Sequence, residues 1–314
     1  MDLSINTKIR LALIIIISVA IFGCIGLAGV KPQYPQSPIT ILSSGNGSAV
    51  IGYTVILSIA ALAIAFPLAG RKMAYLMPLA VPAGLAVWSM ATNNFNQLLL
   101  DNLTVEARSS MFRMMAAESF IWFVPVMAAF VGCWYFAKKT HKDISIPQPP
   151  NVSPKQIKNS DQLLGLAISV VVAFIVLKLT ARVPVAILME GRQGVAYVPA
   201  LHTGQMVFAV LISFFLGSLA AQQLVGCTLL PLFFGPLIVS VYNYFAVSRA
   251  AVHSSIDKIA PHLMPSGTEL AMILPLQYIA IGALAIHWGY WYSIQLNLAK
   301  HFNLYEMELT PDPK

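Results

Sequence analysis

Residues 75–88 read "YLMPLAVPAGLAVW", an apolar run that contains two prolines, and residues 228–241 repeat the design as "TLLPLFFGPLIVSV". Aligning Pro78 with Pro231 gives an offset of 153 residues, and the second prolines of the two runs align at an offset of 154. A proline inside a helix removes one backbone hydrogen bond and kinks the chain. The two runs therefore predict a pair of equivalent, kinked helices in an apolar setting.

The composition places this setting in a membrane. The chain is 58% hydrophobic and only 10% charged, with a mean hydropathy of +0.74, whereas a soluble domain is about half apolar and a quarter charged. The net charge of +7 comes from basic residues in short loops. In a membrane protein such residues indicate which side of the membrane each loop faces. The lipid bilayer is the expected partner, and nucleic acid is not.

Eight stretches are long and apolar enough to cross a hydrocarbon layer about 30 Å thick. They lie near residues 11–30, 49–69, 73–91, 118–137, 163–183, 205–225, 228–247 and 270–296. A transmembrane barrel would need short segments that alternate apolar and polar residues, and runs such as "LALIIIISVAIF" do not alternate. The expected fold is an all-α polytopic membrane protein with about eight transmembrane helices.

Orientation follows from the basic residues. With the N-terminus inside, 11 of the 19 lysines and arginines fall on the inner side, 7 on the outer side, and Lys178 lies within a span. Cytoplasmic sides are enriched in these residues, which predicts an inner or plasma membrane protein with both termini cytoplasmic. The alternative for the first span is a signal peptide, but its apolar run of about 20 residues exceeds the usual length.

Other landmarks repeat with nearly the same offset. Pro32 precedes Pro184 by 152 residues, and Glu118 precedes Glu269 by 151. Four spans return the chain to its starting side, so two such copies are related about the membrane normal. The pattern predicts a parallel duplication of four plus four spans, although prolines and glycines are common in membrane helices and chance alignment is the alternative.

The duplication divides the chain into two transmembrane halves, residues 1–137 and 163–299. Residues 138–162 form a linker rich in proline and lysine, and residues 300–314 form a tail. This linker composition is typical of a segment without an apolar core. We expect both the linker and the tail to be cytoplasmic.

Lys178 is the least expected residue inside a span. A lysine in hydrocarbon costs on the order of 3 kcal/mol on insertion scales, so we expect polar groups near Lys178 that offset this cost. By register, Asn243 and Gln277 fall at a similar depth, and Arg182 follows one turn outward. These four residues form a candidate site for a small, anionic solute, with Lys178 as the anion contact. The alternative is that Lys178 and Arg182 extend to the lipid phosphates.

Glu118 and Glu269 form a second candidate, an outer carboxylate pair that would bind a cation or couple protons. Both are expected to begin a span at equivalent positions. The competing interpretation is helix capping, because "SGTE" at residues 266–269 fits a capping box. Capping is the preferred interpretation.

The chain lacks the common catalytic and nucleotide motifs, including GxxxxGK[ST], HExxH and GxSxG. No metal ligand set or cofactor motif is evident, so we expect neither. The first interpretation is a transport-type protein that binds a small solute in an outward-opening cavity of the second half. The alternative is a non-catalytic anchor or scaffold subunit that contacts partner membrane subunits and lines a quinone or lipid site, with His287 and Trp291 as candidates. A membrane-embedded enzyme ranks third.

Overall fold

The fold was examined in a computed structural model of the 314-residue chain. The residues it describes are 5–30, 38–42, 47–69, 77–91, 95–140, 158–182, 186–188, 195–197, 202–253, 264–265 and 268–309.

Helices make up nearly all of the described chain. The first span is α1 (Ile5–Ala20), which continues through a π-helical segment (Ile21–Gly26) into α2 (Leu27–Gly29). The first half then contains α3 (Gly47–Ala69), α4 (Ala80–Ala91), α5 (Phe95–Asp101) and α6 (Val105–Thr140). The second half contains α7 (Asn159–Thr180), α8 (Thr203–Val225), α9 (Leu229–Leu232), α10 (Phe234–His253) and α11 (Pro275–Leu309).

Six helical segments of the described chain are long and apolar enough to cross a membrane. They are Lys8–Gly29, Gly47–Leu68, Val105–Tyr135, Asn159–Thr180, Thr203–Val225 and Leu229–Arg249. This makeup is that of a helical integral membrane protein. The other two expected spans differ: α4 is only 12 residues long, and α11 carries Gln277, His287 and several aromatic residues with polar edges, which lower its hydropathy.

The prolines that suggested kinks begin helices instead. Pro82 and Pro236 are each the third residue of a helix, α4 and α10 respectively. Pro78 lies in a 3-10 turn directly before α4, and Pro231 lies in the short helix α9 directly before α10. The first N–H groups of a helix have no partner within it, so proline is tolerated there at little cost. These prolines nevertheless mark changes of helix geometry, because the 3-10 turn runs directly into α4 and a turn at Phe233 interrupts the span Leu229–Arg249.

The fourth span also starts at a different place from the one expected. Its helix, α6, begins at Val105 rather than near residue 118. Thr104 caps the helix, since its Oγ1 accepts the N–H of Ala107 at 3.2 Å. Glu118 therefore lies within a helix, and its expected role as a cap is wrong.

A small sheet marks one end of the second half. Strands β1 (Ala186–Leu188) and β2 (Val195–Tyr197) pair antiparallel between α7 and α8. Strand β3 (Met264–Pro265), between α10 and α11, pairs antiparallel with β2. The hydropathy pattern predicts only loops here. We call this end of the bundle the sheet end and the opposite end the linker end.

Helix α11 lies in the middle of the bundle and packs against α4, α6, α8 and α10. Nearly every described residue from Leu270 to Ile286 is buried. A helix surrounded by other helices needs less lipid-facing apolar surface, which explains how α11 combines low hydropathy with burial. The exposed apolar side chains that would face lipid lie on the outer helices. Ile56 of α3 and Leu163 of α7, for example, are 65% and 69% exposed.

Small residues permit close approach in both halves. Gly26 of the π-helical segment lies against the Trp88 ring on α4, and a Cβ built there would come within 2.5 Å of the ring. Gly165 of α7 likewise faces Cys227, where a Cβ would come within 2.6 Å of Sγ. Burial raises the pKa of the Cys227 thiol to about 11, as expected for a packed core cysteine.

The expected linker and tail overlap helices. Residues 138–140 belong to α6, and residues 159–162 belong to α7, which Lys158 precedes. Residues 141–157 lie outside the described residues. Helix α11 continues to Leu309. Most of the expected tail is therefore helical.

Candidate functional site

Buried polar side chains gather where α4, α6, α10 and α11 meet. We call this group the polar layer. Its members are Ser89, Glu118, Ser119, Ser240, Asn243, Tyr244, Gln277 and Tyr278, and each is at most 6% exposed. Polar groups buried away from water require hydrogen-bond partners, and the partners of these side chains define what the layer can do.

Glu118 is the ionisable carboxyl of the layer. It lies in the middle third of the span Val105–Tyr135 and is 2% exposed. The backbone N–H of Ile41 donates to its Oε1. The segment 38–42 is thereby held against α6. Glu118 anchors this segment, and the next residue, Ser119, joins α6 to Ser240 of α10.

Two tyrosines tie the layer to the turn that precedes α11. The Tyr278 hydroxyl donates to the carbonyl of Leu270 at 2.8 Å, and the Tyr244 hydroxyl donates to the carbonyl of Ile273. The two rings meet edge to face, with centroids 6.4 Å apart. These bonds fix the 3-10 turn Glu269–Met272 over the layer.

Asn243 offers the layer's clearest acceptor. Its Nδ2 donates to the Tyr278 hydroxyl at 3.2 Å. Its Oδ1 accepts no hydrogen bond from the described residues, and the side chain keeps 6% of its surface exposed. An amide oxygen in this position is able to accept a hydrogen bond from a small solute.

Gln277 makes two hydrogen bonds within the fold. Its Oε1 accepts the N–H of Leu274 at 2.9 Å, and its Nε2 donates to the carbonyl of Ser89 at 3.1 Å. In the first bond, the side chain of the third residue of the helix reaches back to the N–H of the residue that precedes the helix, as in a capping box. The second occupies a carbonyl in the last turn of α4, where helices leave carbonyls without internal partners. Both ends of the amide serve the fold.

Serines join α6 to α10. Ser119 and Ser240 hydroxyls lie 2.8 Å apart, and closer to the sheet end the hydroxyls of Ser109 and Ser248 lie 3.0 Å apart. Arg113 donates from Nε to Ser248 Oγ at 3.2 Å. Hydroxyl contacts of this kind are a common way for membrane helices to associate, and here they fix the two helices that carry Glu118 and Asn243.

The four residues of the predicted anion site differ in burial. Lys178 and Arg182 have exposed side chains, and the ammonium of Lys178 lies 5.4 Å from the centroid of the Phe174 ring on its own helix. Asn243 and Gln277 are buried and lie close together, since Asn243 bonds the neighbour of Gln277 on α11. In the part of the chain that the structure describes, neither amide hydrogen-bonds Lys178 or Arg182.

The predicted carboxylate pair also occupies two different settings. Glu118 is buried within α6, whereas Glu269 is half-buried and begins the 3-10 turn before α11. Thr268, at the cap position of this turn, makes no side-chain capping bond, and Ser266 of the predicted capping box lies outside the described residues.

Arg108 was not selected from the sequence. It is 1% exposed, and its Nε donates to the carbonyl of Asn102 at 3.2 Å. Helical spacing is the signal that identifies it: Arg108, Phe112 and Ser119 share the buried face of α6, as residues four and eleven apart do. It was missed because residues 105–117 were expected to form a loop.

The arrangement is suited to hydrogen bonding. Within the described ranges, no three histidine, cysteine, aspartate or glutamate side chains converge as a metal site would require. The layer presents a carboxyl, a carboxamide and phenol groups in a dry setting, where such groups interact strongly. Comparison with known proteins gives no match to a family model, a curated protein or a solved structure.

Proposed function

We propose that this integral membrane protein binds and transports a small solute at the polar layer, between two structurally related halves of four spans each. The observation that carries the proposal is the amide oxygen of Asn243, which accepts no hydrogen bond from the described residues and lies beside a buried network of polar groups. A network that only joined membrane helices would use its donors and acceptors among its own members, whereas this oxygen is left over.

Helix contacts support the related halves, because they occur in matched pairs. α1 packs on α3 as α7 packs on α8, and α1 packs on α4 as α7 packs on α10. α3 packs on α6 as α8 packs on α11. Between halves, α6 packs on α10 as α11 packs on α4. Each pair is related by the duplication that the sequence predicts.

One aromatic contact supports the same relationship in detail. Phe22 and Trp88 meet edge to face with centroids 5.3 Å apart, and Phe174 and Tyr242 meet edge to face at 5.6 Å. The members of the second pair follow those of the first by 152 and 154 residues. This agrees with the offset of the paired prolines.

The layer lies where the halves meet. Ser89 and Glu118 belong to the first half, and Asn243 and Tyr278 belong to the second. Transporters built from repeats place their substrates at the interface between repeats, where a small rocking motion exposes the site to either side. The donors and acceptors of the layer suit a small cation or a neutral hydrogen-bonding solute.

The anion site around Lys178 is a separate version of this proposal. It requires the exposed Lys178 side chain to reach Asn243, with Arg182 as the entry charge. The layer needs neither residue, and a carboxyl in the same group disfavours an anion. We therefore place the solute at Glu118 and Asn243.

We propose further that the linker end faces the cytoplasm of a cell with this chain in its inner or plasma membrane. The basic residues of the linker and the positive-inside tendency support this orientation. Protease added to inside-out vesicles is then expected to cleave between residues 141 and 157, and protease added to intact cells is not. Cleavage of intact cells alone would reverse the orientation.

Uptake into proteoliposomes tests the transport proposal. The purified full chain is reconstituted and offered radiolabelled choline, alanine, glucose and sulfate in separate assays. Uptake of choline, alanine or glucose above that of empty vesicles is expected. Asn243→Leu and Glu118→Gln are each expected to lose about tenfold, because the first removes an acceptor for the solute and the second replaces one carboxyl oxygen by an NH2 donor. Lys178→Met serves as the control and is expected to retain uptake.

Two results would contradict the proposal. Sulfate uptake that is lost in Lys178→Met and kept in Asn243→Leu would move the site to the predicted anion cluster. Absence of uptake for the whole panel, together with stoichiometric co-purification of another membrane protein in mild detergent, would instead support the scaffold role.

A further inference from the structure

His287 is a buried histidine without a hydrogen-bond partner. It lies on α11, is 3% exposed, and neither Nδ1 nor Nε2 is bonded within the described part of the chain. An imidazole in an apolar interior is neutral, because burying its charged form without a counterion is costly. The neutral ring has one N–H donor and one acceptor nitrogen, and leaving either unsatisfied destabilises the fold.

The surroundings of His287 are aromatic. The Phe130 ring of α6 lies 5.8 Å from the imidazole between centroids, and the Trp291 ring lies 6.1 Å away, one turn along α11. Phe233, between α9 and α10, extends this group through a contact of 4.0 Å with Phe130. Two helices thus place aromatic rings beside one polar side chain, and a third part of the chain packs against one of these rings.

His287 does not belong to the polar layer. It follows Tyr278 by nine residues on the same helix, which corresponds to about 13 Å along the axis toward the linker end. A site at His287 is therefore independent of solute binding at Asn243, and evidence for one does not bear on the other.

We propose that His287 and its aromatic neighbours bind the head group of a membrane quinone. A quinone ring is flat and stacks on aromatic side chains, its carbonyl oxygens accept a hydrogen bond from an imidazole N–H, and its apolar tail is soluble in lipid. Water would satisfy the imidazole but makes no use of the aromatic rings. A quinone satisfies both properties of the site.

Quenching of tryptophan fluorescence measures this binding. The purified full chain in lipid nanodiscs is titrated with decylubiquinone, and saturable quenching is expected because Trp291 lies beside the imidazole. His287→Phe keeps a ring of similar size without a donor, and its affinity is expected to fall about five- to tenfold, the value of one hydrogen bond. His287→Gln restores a donor and is expected to recover most of the affinity.

Trp288→Phe is the matched control, because the Trp288 side chain neighbours His287 in sequence but is 58% exposed. Its quinone affinity is expected to equal that of the wild type. If His287→Phe does not fold, Phe130→Leu replaces it and is expected to weaken binding by removing one stacking face.

Several outcomes would overturn the proposal. Quenching that does not saturate would do so, and so would equal affinity in the wild type, His287→Phe and Phe130→Leu. A merely structural imidazole predicts equal affinity together with a higher Tm for His287→Phe, because the variant no longer buries an unsatisfied group. A visible haem absorption band in the purified protein would assign His287 to a different ligand.

Discussion

Gln277 on α11 donates a hydrogen bond from Nε2 to the carbonyl oxygen of Ser89 on α4, across 3.1 Å and 188 positions of sequence. Because Ser89 lies in the last turn of α4, its carbonyl has no helical partner, and the side chain of a distant helix satisfies it. The same side chain caps the start of α11 through Leu274. One amide therefore links the end of a helix in the first half to the beginning of a helix in the second.

Gln277→Leu is expected to destabilise the protein by about 2 to 4 kcal/mol, because it leaves a buried carbonyl and a buried N–H without partners. Gln223→Leu is the matched control: it removes hydrogen bonds between α8 and Ser293 of α11, but its site is only part-buried. A loss of about 1 kcal/mol is expected for the control. Thermal unfolding in detergent measures both, and equal losses would contradict the capping role of Gln277.

Glu118 predicts a contrast between two variants. Glu118→Gln keeps an oxygen that accepts the N–H of Ile41, so the change in stability is expected to stay below about 1 kcal/mol. Glu118→Leu removes the acceptor and is expected to cost about 1 to 3 kcal/mol, because the buried N–H of Ile41 loses its partner. Unfolding curves of the two variants test this order. A leucine variant as stable as the glutamine variant would show that the bond does not anchor the segment 38–42.

Gly132 and Gly282, which the predicted duplication pairs, are expected to respond to alanine substitution in opposite directions. Alanine favours a helix over glycine by about 1 kcal/mol, and a Cβ at Gly132 would meet no atom within 4 Å. A Cβ at Gly282 would lie 2.7 Å from Cγ of Pro236 in the packed core. Gly132→Ala is therefore expected to raise the Tm and Gly282→Ala to lower it. A rise for both would mean that α10 and α11 pack less closely than the structure shows.

The helical spans follow from hydropathy, but the side that each helix buries depends on finer spacing. On α7 the buried residues are Gly165, Ser169, Ala173 and Leu177, a four-residue repeat of mostly small side chains that is readable from sequence. Lys178 follows Leu177 and so points about 100° away around the helix. The prediction that Lys178 lies near Asn243 rested on depth alone, and depth carries no information about helical face.

Helix boundaries were also hard to predict from the sequence, and the wrong start of α6 led to a wrong position for Glu118 within it. Residues 105–117 contain Glu106, Arg108 and Arg113, so hydropathy assigned them to a loop and made Glu118 appear to begin a span. Packing against α10 and the cap at Thr104 extend the helix instead. The paired strands β1–β3 could not be predicted either, since strands of two or three residues have too few positions to show alternation.

Accessibility of position 243 to a water-soluble reagent tests the central claim most directly, because a solute site must be reachable by a solute. In a variant with Cys24, Cys133 and Cys227 replaced by serine or alanine, Asn243→Cys is treated in sealed vesicles with a small, charged methanethiosulfonate, and Ile175→Cys provides the comparison. Ile175 is 53% exposed on the lipid-facing side of α7, where a thiol does not ionise. The account predicts modification of position 243 and protection of position 175. Equal protection of both positions in the folded protein would contradict solute binding at the polar layer.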